Sequence, residues 1–401
     1  MSLLASIAVM FLVAIPANGT PKVRIGLFTL FKPETLQVRI ASGEGGSVEA
    51  AGLADDVSLT RGELIWIRLS GTHLNVSVEN SHGVIRQSAI TDAVRITSDN
   101  FTTLKLTLPG KITRAFQGTL SVDAGMGRRG PLRIVLTTNR ESAVASVVAA
   151  ETTQRQAAQA LMALAVVVRT FMAAHTDRHS SEGFDFCDTT HCQLYRGQDD
   201  LSDNSGSARL VESVARTTGQ TLRFQGRLVD GYYTAVCGGM TATPAMVWGG
   251  SRSYPYSRIK CQWCQASRFN RWERSADAPR VLASISAFIG SNLSSGTELI
   301  TECDSSGFVQ TVIVRDGGKR VVLSSDAFRR AIGLRLGWST VLSPTFTVER
   351  EGSKFIFRGR GFGSQVGLCE AGAFAQADAG WGYREILSFY YPETNLGEQP
   401  K

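Results

Sequence analysis

The stretch that decides the fold is Leu161-Met-Ala-Leu-Ala-Val-Val-Val-Arg-Thr-Phe171. Leu161, Leu164, Val168, Phe171 and His175 recur at intervals of three and four, one stripe of an α-helix. Met162, Val166 and Val167 make the other faces apolar too, so the spacing predicts a central helix over 154–177 buried on most sides. Such a helix must be enclosed by other elements, which places it inside a sizeable domain. Arg169 is a charge within this apolar run and needs a partner if it is buried.

Toward the N-terminus the pattern shortens and alternates. Val23–Leu30, Thr35–Ile40, Glu63–Leu69, His73–Val78, Thr103–Leu108, Gly118–Val122 and Leu132–Leu136 are runs rich in Val, Ile, Leu and Thr. Gly, Asn, Asp and Ser separate them, as expected of strands joined by turns. After Asn139, a candidate N-cap, a helix is predicted through Val144 and Val148 to about Ala150, and Thr153 and Gln156 have the spacing of a capping box for the next. Beyond the central helix the sequence predicts a helix ending at Gly219, strands over 221–224 and 228–236, and an inserted loop over 248–272. Further helices are predicted near 279–289, 326–332, 366–378 and 383–389. Strands and helices interleave without a regular βαβ count, which indicates an α+β fold. A β-rich part at 20–130 precedes a mixed α/β domain at 131–397 built around the buried helix.

The chain has 401 residues, 43% hydrophobic and 19% charged, enough for two core-bearing domains and too apolar for a disordered chain. Forty-two basic against thirty-five acidic residues leave a net charge of +7, which favours an anionic partner. No basic run concentrates that charge, so nucleic acid is not the expected one. Leu3 to Ile15 are uncharged and mostly apolar and lead into Pro16-Ala17-Asn18-Gly19. This segment is short for a membrane span and matches a signal peptide over 1–19, with an uncleaved anchor as the alternative. The expected location is the periplasm or cell envelope. The seven cysteines are an odd number, so disulfides alone cannot account for them. Cys261-Gln-Trp-Cys264 suits a local disulfide, half of a metal site or a redox pair. Nothing around it resembles a thioredoxin unit, so the disulfide is the expected state.

Three segments, in this order, carry a family resemblance. The first combines Ser146-Val-Val-Ala-Ala-Glu151, the helix through Phe171, and Phe184-Asp-Phe-Cys-Asp-Thr-Thr-His-Cys-Gln-Leu-Tyr-Arg-Gly197. The second is Tyr233-Thr-Ala-Val-Cys-Gly-Gly-Met-Thr241. The third runs from Gly359 to Ala373, followed by Gly382 to Pro392. Together they resemble the stage II sporulation protein D family, which includes amidase enhancers of bacterial cell-wall turnover. The likeness spans about 130–395.

The resemblance implies action on peptidoglycan. One branch of the family is a lytic transglycosylase of glycan strands stripped of stem peptides, and another stimulates a separate N-acetylmuramoyl-L-alanine amidase. Glu151 takes the position of the catalytic glutamate and would serve alone as acid and then base. Its bland alternative is a cap for the helix after Thr153. Tyr195 could stack on a sugar face, with Thr189, Thr190 and Gln193 hydrogen-bonding hydroxyl and N-acetyl groups; Tyr195 as plain packing is the competing reading. Arg169 is expected to form a structural ion pair with Asp188 or Asp185. No cofactor is required. Cys187, His191 and Cys192, with His179 or His175 as a fourth ligand, are metal ligands by type, and some relatives of this pattern hold zinc there. A Cys187–Cys192 disulfide or free thiols are the alternatives. Adjacent His191 and Cys192 would point to opposite sides of a strand, which counts against the zinc. The chain departs from the family in having Thr152-Thr153 where Met-Pro is common, Gly363-Ser364-Gln365 where Gly-His-Gly is common, and Glu370 in place of a glutamine.

Overall fold

The computed structural model describes residues 21–398 apart from 44, 55–56, 99–101, 126–129, 153–156, 202–203 and 251–253. The expected signal peptide and the Thr153–Gln156 capping box lie outside the described residues. The chain divides into two compact units, one formed by the described residues up to 156 and by 175–219, the other by 157–174 and 220–398. The division therefore does not follow the boundary at 130: the first unit also takes in the strand and helix that follow it.

The first unit holds β1 (Lys22–Gly26), β2 (Thr35–Ser42), β3 (Gly46–Ala50), β4 (Val57–Leu59), β5 (Leu64–Ser70) and β6 (His73–Glu79). It continues through β7 (Ile85–Thr91), β8 (Ala93–Ser98), β9 (Thr103–Leu108), β10 (Ile112–Phe116), β11 (Thr119–Ala124) and β12 (Leu132–Asn139) into α1 (Arg140–Thr152). The next helix, α2 (Ala158–Ala174), belongs to the second unit. The chain then returns to the first for β13 (Phe186–Cys187) and α3 (Asn204–Arg216). One sheet has the order β10-β9-β2-β5-β6-β7 and the other β13-β1-β12-β11-β8-β3-β4, antiparallel except that β13 runs parallel to β1.

Period-two burial joins the two sheets as layers. Leu36, Val38 and Ile40 of β2, Ile65 and Ile67 of β5 and Leu74, Val76 and Val78 of β6 are buried, as are Val94 and Ile96 of β8 and Leu120 and Val122 of β11. β6 packs on β8 and β11. Each such aliphatic side chain contributes roughly 1.5–3 kcal/mol by leaving water.

The second unit is built around α2, buried at every residue from Ala160 to Met172. It is shorter than the predicted helix at both ends. Around it stand β14 (Gln220–Phe224), β15 (Arg227–Leu228), β16 (Tyr233–Thr234) and α4 (Pro244–Trp248). Next come β17 (Trp272–Asp277), α5 (Ala278–Ile289), β18 (Glu298–Cys303), β19 (Val309–Asp316), β20 (Lys319–Ser324) and α6 (Ser325–Leu336). The unit closes with β21 (Phe346–Glu351), β22 (Lys354–Gly359), β23 (Leu368–Cys369), α7 (Glu370–Asp378), α8 (Tyr383–Tyr390) and β24 (Asn395–Glu398). α2 packs against β14, α7 and α8. Thr170 Oγ1 donates to the Val166 carbonyl at 2.6 Å and accepts from the Leu222 amide at 2.9 Å, fixing β14 on the helix. α5 and α6 cover β17 to β22, with Val281, Ile285, Val312, Phe328, Ile332 and Phe357 in the core between them. The helix predicted from 366 begins only at Glu370, because Val366 bridges Ala242 and Leu368–Cys369 pairs with β16.

Candidate active site and metal centre

The sheet order β12-β1-β13 positions Ser146–Glu151 and Phe184–Gly197 of the first motif within the first unit. Asn139 ends β12, and its Oδ1 accepts the Glu141 amide at 2.8 Å, so the predicted cap starts α1. α1 is buried from Ala143 to Ala150, and Glu151 follows half-buried in its last turn. Glu151 is itself helical, and α2 begins only at Ala158.

On the other side of β1, the short β13 delivers Cys187 and the loop after it. Gly26 of β1 is needed for this approach, since a Cβ there would lie 2.6 Å from the Phe184 ring. The two motif carboxylates pin the loop to β1 and to the residues just after it. Asp185 accepts from the Arg24 guanidinium and amide, both at 2.8 Å. Asp188 accepts from the amide of Phe28 at 2.7 Å and the hydroxyl of Thr29 at 2.9 Å, with Arg114 at 3.9 Å. Burial is the largest influence on Asp188 and raises its pKa, against the lowering by these donors. The expected pairing of Arg169 with Asp188 or Asp185 is thus corrected: both carboxylates serve the β-rich strands. Buried Arg169 instead donates to the carbonyls of Gln220 at 3.1 Å and Ala165 at 3.4 Å.

Tyr195 is corrected as well. It is only 2% exposed and stacks on Phe116 with ring centroids 6.1 Å apart, so its ring faces the core rather than a sugar. Burial pushes its phenol pKa up. Gln193 is also buried, whereas Thr190 is exposed. Thr189 is half-buried, and its hydroxyl accepts the His191 amide at 3.2 Å and lies 3.3 Å from Cys187 Sγ. Of the four expected sugar contacts, Thr190 is the one whose side chain stands open.

The loop brings His179, Cys187, His191 and Cys192 together, with one ligand atom of each within 4.8 Å of all the others. His191 Nδ1 lies 3.7 Å from Cys187 Sγ and 3.8 Å from Cys192 Sγ. His191 and Cys192 are neighbours in a turn, closed by the Cys192 amide on the Thr189 carbonyl at 3.0 Å, so the strand geometry that argued against them does not apply. His179 Nδ1 meets Glu182 Oε1 at 2.5 Å, leaving a buried Nε2 without a hydrogen-bond partner, turned to the group. A carboxylate that orients an imidazole whose other nitrogen lacks a partner is the arrangement a metal ligand has. Cys187 and Cys192 are free thiols. The Cys192 thiol lowers the Cys187 pKa against burial, with help from Thr189 and His191, while Cys187 and burial raise that of Cys192. Two thiol sulfurs and two imidazole nitrogens at these spacings fit a tetrahedral zinc ion.

The second and third motifs meet within the second unit. Gln365, buried at φ 65, donates from Nε2 to the Cys237 carbonyl at 2.8 Å and accepts from Thr345 Oγ1 at 2.8 Å. Its amide donates to Thr234 Oγ1 at 3.1 Å, and its carbonyl accepts the Ala242 amide at 2.7 Å. Sequence reasoning missed Gln365, Glu182, Arg24 and Arg114 as organising residues. Only Glu182 carried a signal, three residues after a candidate ligand.

Residues 128–224 match the family model described as Stage II sporulation protein. An uncharacterized protein of Brachyspira hyodysenteriae is 28% identical over 249 residues, covering 59% of this chain and 61% of the relative. A Bacillus subtilis protein named Amidase enhancer is 27% identical over 59% of this chain and 38% of its own length. A Bacillus amyloliquefaciens protein named Stage II sporulation protein D is 25% identical over 64% of this chain and 74% of its own. The alignments with the first two thus span less than two thirds of those relatives. The matched segment contains Glu151 and the loop from Phe184 to Gly197, and over it the chain is similar to the stage II sporulation protein D family.

Proposed function

We propose that the chain acts on peptidoglycan of the cell envelope as a lytic transglycosylase, with Glu151 as its single acid and base. The observation that supports this reading is the placement of Glu151, a half-buried carboxyl ending an otherwise buried helix within the unit that also carries the ligand loop. The protonated carboxyl gives its proton to the glycosidic oxygen between MurNAc and GlcNAc as the C1–O bond breaks. The resulting carboxylate takes the proton of the MurNAc C6 hydroxyl as O6 bonds to C1 and closes the 1,6-anhydro ring. No water is consumed and no second carboxylate is needed, unlike the pair in ordinary glycosidases. Zinc held by His179, Cys187, His191 and Cys192 would have all four positions filled by protein and so fix the loop rather than activate water. Thr190 is the loop side chain best placed to meet glycan, and the net charge of +7 suits an anionic envelope. Export would use residues 1–19. Among the described residues no helix is long and apolar enough to cross a membrane.

The test is mass analysis of products from purified denuded glycan strands. Wild type should release anhydro-muramic ends, and Glu151→Gln should lower that rate by at least about 100-fold. Equal release by both proteins sinks the reading.

A second reading, a non-catalytic glycan-binding module that enhances an amidase, is supported by the similarity to the protein named Amidase enhancer. It is also supported by Gly363-Ser364-Gln365, which lacks the histidine common in the family. It expects co-purification with glycan or amidase that Glu151→Gln leaves intact, and no new anhydro ends.

A further inference from the structure

Four cysteines outside the first motif converge at one point of the second unit. Cys237 follows β16, Cys261 and Cys264 lie in the turn-rich stretch after α4, and Cys369 ends β23 at the start of α7. All four are buried, with exposures of 0%, 0%, 1% and 0% in that order. Their sulfurs all lie within 4.8 Å of one another, and Cys237 Sγ is 3.6 Å from Cys264 Sγ. Four sulfurs each about 2.3 Å from one tetrahedral zinc ion stand about 3.8 Å apart. An iron–sulfur cluster would hold its thiolates farther apart, around several metal atoms. The expected Cys261–Cys264 disulfide is not formed: both are free thiols.

We propose that Cys237, Cys261, Cys264 and Cys369 form a closed structural site for a single zinc ion. Their surroundings favour thiolate sulfur. The Cys237 amide donates to Cys369 Sγ at 3.3 Å, and the Tyr390 hydroxyl lies 3.3 Å from Cys261 Sγ. Hydrogen bonds to metal-bound sulfur spread the negative charge that four thiolates bring to a divalent ion. Cys369 is the N-cap of α7, the end of the helix that attracts negative charge. Gly372 on that helix leaves the room, since a Cβ there would stand 3.0 Å from Cys261 Sγ and 2.1 Å from Tyr390 Oη. Gly238 and Gly239 turn the chain after Cys237 at φ 69 and 105, the sharp bend a ligand knuckle needs.

The chemistry needs no oxidant: zinc(II) enters, thiol protons leave, and no electron moves. With every position filled by sulfur and none open to solvent, the ion cannot bind substrate or activate water. It ties the second motif, the Cys261–Cys264 turn and the third motif into one body, whatever the enzyme acts on.

The experiment uses the full chain purified without chelator. Its readouts are metal content by elemental analysis, the spectrum after cobalt substitution, and thiol state by alkylation and peptide mass. A Cys237→Ser/Cys369→Ser chain should hold one equivalent of zinc less than wild type, and a Cys187→Ser/Cys192→Ser chain should keep that equivalent. Should either variant fail to fold, wild type decides: cobalt should give an intense band set typical of four thiolates, with the four cysteines alkylated only after metal release. Disulfide-linked peptides among these cysteines in unreduced wild type overturn the proposal. So does metal content unchanged in the Cys237→Ser/Cys369→Ser chain, or free thiols that take up no zinc or cobalt.

Discussion

Tyr195 shows how one side chain can be assigned by its surroundings. In a motif loop an aromatic residue invites a sugar-stacking role, yet this ring lies against Phe116 and is shut from solvent. Removing it should leave a cavity in the first unit. Tyr195→Ala should cost about 3–5 kcal/mol, read as a fall in denaturant midpoint, and Tyr195→Phe about 0.5 kcal/mol or less. A Tyr195→Ala chain that unfolds at the wild-type midpoint but binds glycan poorly would restore the stacking role. The same surroundings explain why the carboxylates of the motif were misread. Asp185 and Asp188 are near Arg169 in sequence, whereas their partners Arg24, Phe28 and Thr29 lie about 160 residues away. Nothing in a local pattern reports such a pairing.

At the scale of elements, α2 dictates what can lie against it. Gly231 has φ 65, and a Cβ there would lie 2.6 Å from the Phe171 amide nitrogen and 2.7 Å from the Val167 carbonyl oxygen. Gly226, at φ 80 in the turn between β14 and β15, has nothing within 4 Å of the same position. Gly226→Ala should therefore show the conformational cost alone, about 1 kcal/mol, and Gly231→Ala a further 1–3 kcal/mol from displacing the chain off the helix. Equal shifts in melting temperature would mean that contact with α2 is not what holds this position. The helix itself was legible because apolar residues on every face admit one physical reading. So were β2, β6 and β9, whose apolar and polar residues alternate. β7 was not, because it is an edge strand with Ile85 and Ile90 exposed, and its burial does not alternate with its sequence. β3 and β10 were lost for a related reason: each is five residues long with a single fully buried side chain, too little for a period to register. In the site, ligand types and the capped start of α1 were readable. The turn that brings His191 and Cys192 to the same side was not, since the pattern does not specify the conformation of two adjacent residues.

For the whole molecule, the seven-stranded sheet sets what can be separated. Its strands β12 and β13 fall inside the segment matched by the family model, while β1, β11, β8, β3 and β4 fall before it. β12 pairs with β1 on one side and β11 on the other, so a chain begun at residue 131 would leave both its edges open. Such a fragment is expected to be insoluble or to lack a cooperative unfolding transition, measured by sedimentation and circular dichroism. A soluble, cooperatively folded fragment would show that the β-rich part is dispensable.

The pairing of β1 with β13 also has a meaning in time. Lys22 to Gly26 are made before their partners at Val135–Asn139 and Phe186–Cys187, which follow only after more than a hundred further residues. Until then the first strand has no sheet to join, and the nascent chain can remain open and threadable. The topology thus makes the closing of the seven-stranded sheet a late event, set by its middle strands rather than by its first.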